Sequence, residues 1–112
     1  SETQLSQKAV KDRYASAVYQ VTLRTIHEIF EADRREIIKS ISLEVGTEAK
    51  DPATGQQSFV TLAAIAAARE PFMQIDLSNV VPLATLEYLG AAVSKNPFAL
   101  QPVTSGGVRR AK

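Results

Sequence analysis

The stretch that spans residues 5–35 contains no glycine and no proline, and it constrains the fold more than any other feature. Apolar residues recur within it at steps of three and four, which is typical of an amphipathic helix. They form two neighbouring stripes, one made of Tyr14, Val18, Val21 and Thr25 and the other of Tyr19, Leu23, Ile26 and Phe30. The sequence therefore predicts one long helix over residues 5–35 with an unusually wide apolar face.

The length of this helix implies a partner outside its own fold. At 1.5 Å per residue it would be roughly 45 Å long, which exceeds the width of a domain of this size. We expect one apolar stripe to pack on the chain's own core. The other stripe is the candidate dimer interface, made of Tyr14, Val18, Val21 and Thr25.

The polar side of the helix offers the first candidates for chemistry. His27 is the only histidine, and three carboxylates lie near it in sequence: Glu28, Glu31 and Asp33. No cysteine and no second histidine complete a zinc set, and no phosphate-binding loop supports a magnesium site. We interpret these groups as a solvated face with weak ion pairs one helical turn apart. The expected pairs are Arg24 with Glu28 and Glu31 with Arg35.

Beyond the helix the hydrophobic period changes from helical to alternating. The residues Ile41, Leu43 and Val45 point to one side of an extended chain, and the residues between them point to the other. This pattern predicts a first strand over residues 37–46 that ends at Gly46. Residues 48–56 are rich in turn formers and predict a hairpin connection.

The chain from residue 59 to residue 67 is almost wholly apolar. It predicts a second strand over residues 57–66 that is covered on both faces. The alanines between residues 63 and 68 are strong helix formers, so a short helix is the alternative.

The triplet Glu48, Ala49 and Lys50 matches the E-x-K core of many nuclease metal sites. In such sites the glutamate and the lysine lie on a buried strand, whereas this triplet falls in the predicted turn beyond Gly46. We therefore interpret it as part of a solvated loop and predict no catalytic, cofactor-binding or metal-binding residue in the chain.

The C-terminal third predicts a single helical turn over residues 69–74, followed by a helix over residues 82–94. Pro82 is well placed as the first residue of that helix, and Pro97 lies just beyond its end. Residues 1–103 would form one domain. Residues 104–112 would form a flexible basic linker, in which Arg109, Arg110 and Lys112 are the candidates for contact with nucleic acid.

These elements predict an α+β fold with a long N-terminal helix, a β-hairpin, a short helical turn and a C-terminal helix. A two-stranded hairpin is marginal in water unless helices or another copy extend it, so we expect a homodimer. The net charge of +1 gives no strong field for nucleic acid or membranes. The absence of cysteine and of any apolar run long enough to span a bilayer favours a cytoplasmic protein without a membrane partner.

Four segments carry a resemblance to a known family. They are residues 23–33 (LRTIHEIFEAD), 51–55 (DPATG), 76–82 (DLSNVVP) and 101–103 (QPV). Together they resemble the accessory segment that precedes the nuclease domain in Mrr-like bacterial restriction endonucleases. The resemblance implies a larger parent protein in which a nuclease domain with a D…E-x-K magnesium site follows Lys112. None of that domain's catalytic residues falls within this chain.

Two functional hypotheses from different classes follow. The first is a non-catalytic oligomerisation or regulatory domain of a DNA-cleaving Mrr-like restriction endonuclease, which pairs protomers so that two nuclease sites act on one duplex. The alternative is a module that senses DNA or a small effector and controls a fused effector domain. A hydrolase within the fragment itself is the least favoured reading, because the chain has one histidine and no cysteine.

Overall fold

The computed structural model describes residues 7–97 and 101–103. The chain folds in the order α1 (Gln7–Ala32), β1 (Ser40–Lys50), β2 (Gln57–Ala68), α2 (Arg69–Met73), a 3-10 turn (Leu77–Asn79), α3 (Pro82–Tyr88) and β3 (Ala92–Val93). The three strands form one antiparallel sheet in the order β1-β2-β3. The predicted α+β class is confirmed. None of the helices in this part of the chain is long and apolar enough to span a bilayer.

The helix α1 places one of its predicted stripes in the core. Leu23, Ile26 and Phe30 are buried against the sheet and against the short helices. Their partners in the cluster are Ile65, Ala67, Phe72 and Leu86. Because these residues recur at three- and four-residue steps, the helical pattern of the sequence identified the core face of α1 correctly.

The C-terminal end of α1 lies three residues before the predicted one. The helix ends at Ala32, and the Asp33 N–H donates to the carbonyls of Ile29 and Phe30 at 3.2 Å. Glu36 then takes a positive φ of 56°, which turns the chain toward the sheet. The start of the predicted helix, residues 5 and 6, lies outside the described residues.

The strand β1 runs through Gly46 to Lys50, so the prediction that Gly46 ends it is wrong. The pairing register shifts between Val45 and Gly46 because β2 contains a β-bulge. Val45 pairs with Ala63 and Gly46 pairs with Thr61, which leaves Leu62 without a partner on β1. A Cβ on Gly46 would lie 2.0 Å from the carbonyl oxygen of Val60. Glycine is therefore required here by the close approach of the two strands, not by a turn.

The second strand begins at Gln57 as predicted and continues two residues further, to Ala68. The alternative of a short helix over its alanines is wrong. Only one face of its second half is buried, since Ile65 and Ala67 lie in the core whereas Ala66 and Ala68 are exposed. The expectation of cover on both faces therefore fails in the single chain.

The C-terminal elements pack beside α1 in the same core and add β3 to the sheet. The predicted helical turn at Arg69–Met73 is present, and Phe72 is fully buried. The helix α3 begins at Pro82 as predicted but ends at Tyr88, because Gly90 adopts a positive φ of 79° and the Ala91 N–H donates to the Leu86 carbonyl. Residues 92 and 93, predicted as helix, instead pair with Ala63 and Ala64.

Candidate interaction surface

The outer side of β1 is an open sheet edge. Within residues 7–97 and 101–103, β1 pairs only with β2. The Arg69 N–H donates to the carbonyl of Lys39 at 2.8 Å, so the backbone of residue 39 points toward β2. Because successive residues of an antiparallel strand point their backbone groups to opposite sides, Ser40, Ser42 and Glu44 present their N–H and C=O groups to the open side.

The side chains of β1 are less well covered than those of β2. Three apolar residues of β1 face α1, namely Ile41, Leu43 and Val45, and all three are only half-buried. The residues directly opposite them on β2 are 0–2% exposed: Ala67, Ile65 and Ala63. The β2 residues Ile65 and Ala67 pack in the central cluster with residues of α1, α2 and α3, whereas Ile41, Leu43 and Val45 lie at the edge of the sheet.

This edge lacks several of the features that usually prevent edge-to-edge pairing. Natural edge strands are commonly short or bulged, or carry proline or charged side chains. The strand β1 is eleven residues long, has no proline and has its bulge on the partner strand, and its charged residues are Glu44, Glu48 and the terminal Lys50. Such an edge is suited to pairing with another strand.

Exposed isoleucines lie next to this edge. Ile37 and Ile38 directly precede β1 and are 67% and 36% exposed. We define the edge surface as β1 together with Ile37 and Ile38. It combines unpaired backbone groups with apolar side chains, as protein interfaces commonly do.

A buried arginine fixes where the edge begins. The Arg69 guanidinium pairs with the Asp33 carboxylate at 2.5 Å, and its Nε donates to the Ile38 carbonyl at 2.8 Å. It also reaches the carbonyls of Phe30 and Asp33 at 3.5 Å and lies 4.9 Å from the centre of the Phe30 ring. One side chain thus ties the last turn of α1 to the start of the edge strand.

The Asp33 carboxylate completes this junction from the other side. It accepts the Ile38 N–H at 2.6 Å. That hydrogen bond, together with one from Ile37 and the charge of Arg69, holds the pKa of Asp33 below its usual value against the opposing effect of burial. Asp33 is therefore ionised at neutral pH and contributes to the rigidity of the junction.

The structure divides the predicted dimer stripe. Val18 is 9% exposed and packs against Leu62 and Ala63, and Tyr14 contacts the same cluster. Val18 therefore packs in the chain's own core and Tyr14 is half-buried beside it, and the assignment of the stripe to a dimer interface stays a prediction. Val21 is 51% exposed and Thr25 is half-buried, so these two remain accessible on α1.

A groove runs along the opposite flank of α1, between this helix and the 3-10 turn. Its volume is about 440 Å³, within the range of small-molecule sites. Its lining consists of Gln20, Leu23, Arg24, His27, Leu77, Ser78, Val80 and Pro82. Arg24 and His27 give this groove cationic or polar groups beside an apolar wall, so it can accommodate an amphipathic anion.

The predicted ion pairs on α1 are replaced by others. In the described part of the chain His27 lies 3.9 Å from Glu31, and Lys8 pairs with Asp12 at 3.2 Å. The pairs of Arg24 with Glu28 and of Glu31 with Arg35 do not form among these residues, because α1 ends before Arg35 and Glu31 approaches His27 instead.

The candidate metal motifs do not assemble in the described residues. No group of three or more potential ligands converges there, including the carboxylates around His27. The triplet from Glu48 to Lys50 lies on β1 and not in a turn, which corrects its predicted location. Glu48 and Lys50 are exposed at the end of the strand. The tail candidates Arg109, Arg110 and Lys112 lie outside the described residues.

Sequence reasoning missed Arg69 and the role of Asp33. The available signal was an arginine directly after the alanine-rich strand, where a cation at a strand end needs a partner. The partner lies 36 positions earlier in the chain, beyond the reach of any periodic pattern. The exposed Ile37 and Ile38 were absorbed into the predicted first strand and were not recognised as surface residues.

Comparisons with known proteins identified no relative of this chain. No protein-family model, no curated protein and no solved structure matches the chain.

Proposed function

We propose that this chain is a non-catalytic homodimerisation module that joins two protomers through the edge surface. The observation that carries the proposal is the eleven-residue edge strand, whose outward side pairs with no other strand in the described part of the chain. A strand edge of this kind is self-complementary, because two antiparallel copies exchange N–H and C=O groups symmetrically about a twofold axis.

The dimension of the edge supports a specific contact. At about 3.3 Å per residue the strand is roughly 36 Å long. Pairing along its whole length would form about ten to twelve backbone hydrogen bonds between copies, which is the number typical of a stable protein interface. In such a pair, a second copy of β1 would cover the open side of the half-buried residues Ile41, Leu43 and Val45.

We further propose that the parent protein is a Mrr-like restriction endonuclease that cleaves DNA in the cytoplasm. This part of the proposal is supported by the resemblance of residues 23–33, 51–55, 76–82 and 101–103 to that family. Pairing two protomers would bring two nuclease sites to one duplex. In this arrangement the downstream nuclease domain binds DNA and magnesium, and the present chain pairs the two protomers about a twofold axis.

Sedimentation equilibrium tests the pairing. Between about 1 and 100 µM, a range that covers ordinary homodimer affinities, we expect a species of twice the 12.1 kDa monomer mass. A monomer throughout this range would overturn the proposed function. The parent class has a separate test, since the sequence encoded after Lys112 should contain a D…E-x-K nuclease motif. An ATPase or a membrane segment in that place would contradict it.

A second candidate function, effector sensing, is favoured by the groove beside Arg24 and His27. A small amphipathic anion would place its charge near Arg24 and its apolar part against Leu77 and Val80. Anilinonaphthalene sulfonate has this chemistry, and we expect its fluorescence to rise on binding the folded chain. Arg24→Ala should weaken binding about tenfold while the exposed control Arg13→Ala leaves it unchanged. Equal binding by both variants would contradict this candidate.

A further inference from the structure

The alternation of backbone groups limits how two copies of β1 can pair. The outward groups belong to residues 40, 42, 44, 46, 48 and 50, since the irregularity of the ladder lies on β2. In an antiparallel pair, residues that exchange hydrogen bonds lie directly opposite each other. An even-numbered residue of one copy must therefore oppose an even-numbered residue of the other. The twofold axis then passes through a residue and not between two residues.

Charge removes two of the possible positions for this axis. An axis at Glu44 would place that carboxylate directly opposite its own copy. An axis at Gly46 would place Glu44 opposite Glu48 of the second copy. Like charges at directly opposed positions destabilise a strand pair, so both registers are disfavoured.

The remaining registers with an axis near the centre of the strand differ in the number of residues that they pair. An axis at Leu43 pairs only residues 40–46, and an axis at Thr47 pairs only residues 44–50. Val45 is the middle of Ser40–Lys50, so an axis there pairs all eleven residues. It also places Gly46 opposite Glu44 and Ser42 opposite Glu48, so that no glutamate lies directly opposite another carboxylate.

The Val45 register also matches the apolar side chains. The inward-facing residues Ile41, Leu43 and Val45 would meet Ala49, Thr47 and Val45 of the second copy, on the same face of the sheet as α1. Continuing the same spacing beyond the strand brings Ile38 next to Pro52 of the second copy. Both Ile38 and Pro52 are exposed in the single chain, so this contact would cover part of the edge surface.

We propose that two copies pair β1 antiparallel with the twofold axis at Val45, a register that rests on the proposed dimerisation. The product is one continuous six-stranded sheet, built from two three-stranded sheets, with both copies of α1 on the same face. The occupant of the open edge is thus a second copy of this chain.

Single cysteine variants test the register cleanly, because the chain contains no cysteine. In the proposed register the Val45→Cys sulfurs face each other across a non-hydrogen-bonded pair, where Cα atoms are about 4.5 Å apart, and a disulfide can form. The two Leu43→Cys positions would be about 13 Å apart along the strands, too far to be bridged. Val45→Cys should therefore cross-link under mild oxidation, and Leu43→Cys should not.

A mixture of two other cysteine variants tests the register even if Val45→Cys does not fold. Leu43→Cys mixed with Thr47→Cys should form a cross-linked heterodimer, because these residues oppose each other in the proposed register. If the wild type sediments as a dimer while Leu43→Cys or Thr47→Cys alone cross-links and Val45→Cys does not, the register is wrong but the dimerisation function stands. Monomeric wild type overturns both. A dimer in which none of the three variants and no Leu43→Cys with Thr47→Cys mixture cross-links overturns the Val45 register.

Discussion

The strands β1 and β2 have similar length and the same inward apolar alternation, yet in the described part of the chain only β2 has backbone partners on both of its sides. On one side β2 pairs with β1 over the full hairpin. On the other it pairs with β3, and its carbonyls at Leu62 and Thr61 accept the N–H groups of Ser94 and Val103 at 2.8 and 3.0 Å. Among the described residues, no comparable group approaches the open side of β1.

This difference identifies β1 as the strand whose outer side has no partner among the described residues. The buried residues of β2 show that the helices provide enough apolar surface to cover a strand fully. The half-buried residues of β1 have no neighbouring strand on their outer side among the described residues. Changes on the β2-facing side of β1 should therefore reduce the stability of the monomer, whereas changes on the open side should reduce the affinity between copies.

The largest effect should come from the junction that positions the edge. Arg69→Met removes the ion pair with Asp33, the bond to the Ile38 carbonyl and the 3.5 Å contacts to the carbonyls of Phe30 and Asp33. We expect a loss of roughly 3 kcal/mol in the free energy of unfolding, measured by urea denaturation. The exposed control Arg35→Met should change it by less than about 0.5 kcal/mol. Equal losses in the two variants would show that the junction does not organise the edge.

The paired side of β1 should be the next most sensitive. Gly46→Ala places a methyl group against the Val60 carbonyl, so the two strands must separate at the bulge. We expect a loss of about 2 to 3 kcal/mol, at the upper end of overpacking costs. Ser42→Ala, on the same strand but exposed, is the control and should be nearly neutral. A stable Gly46→Ala variant with native circular dichroism would contradict the close approach described for this position.

Low pH should reduce the stability of the chain through Asp33 at the junction and through Asp76. The pKa of Asp33 is lowered mainly by the Ile38 N–H, and that of Asp76 is lowered mainly by the Ser78 hydroxyl. Each folded-state pKa lies below its unfolded value of about 3.9, so this stabilisation is complete above that pH and is lost as the pH falls through the folded pKa. The urea midpoint should therefore be level from about pH 7 to 5 and fall below about pH 4. Asp33→Asn should start lower and fall less steeply; a parallel fall would contradict the assignment.

The smallest expected effect is on the apolar rim of the edge surface. Ile37 and Val81 are β-branched and equally exposed, at 67% and 68%, but Val81 lies next to α3, away from the edge. Ile37→Ser should weaken dimerisation about tenfold because it removes apolar contact in both copies, while Val81→Ser should not change it. Sedimentation velocity across a dilution series measures both. If Val81→Ser has the larger effect, the interface lies on the α3 side.

The sequence predicted the parts of the fold that depend on local pattern. The core stripe of α1 followed from the spacing of Leu23, Ile26 and Phe30, and the start of α3 followed from Pro82. The end of α3 was missed because the left-handed turn at Gly90 was not recognised, and the continuation of β1 through Gly46 was missed because the compensating bulge lies on another strand.

The edge surface was harder to predict from the sequence than the fold. Dimerisation through a strand edge could be anticipated, since a hairpin alone is unstable. Which strand remained open could not, because the two-residue strand β3 was predicted as part of a helix. The stripe with Val18 was assigned to a partner because its apolar period does not reveal that Leu62 and Ala63 already cover it.

The most direct test removes one outward hydrogen-bond donor from the open edge. Ser42→Pro deletes an N–H that points away from β2, and proline is tolerated on an edge strand in that orientation. Ser42→Thr retains the N–H and is the matched control. By sedimentation equilibrium we expect dimers for the wild type and Ser42→Thr, and a folded monomer with native circular dichroism for Ser42→Pro. A Ser42→Pro variant that dimerises as tightly as the wild type would contradict the claim that two copies pair through β1.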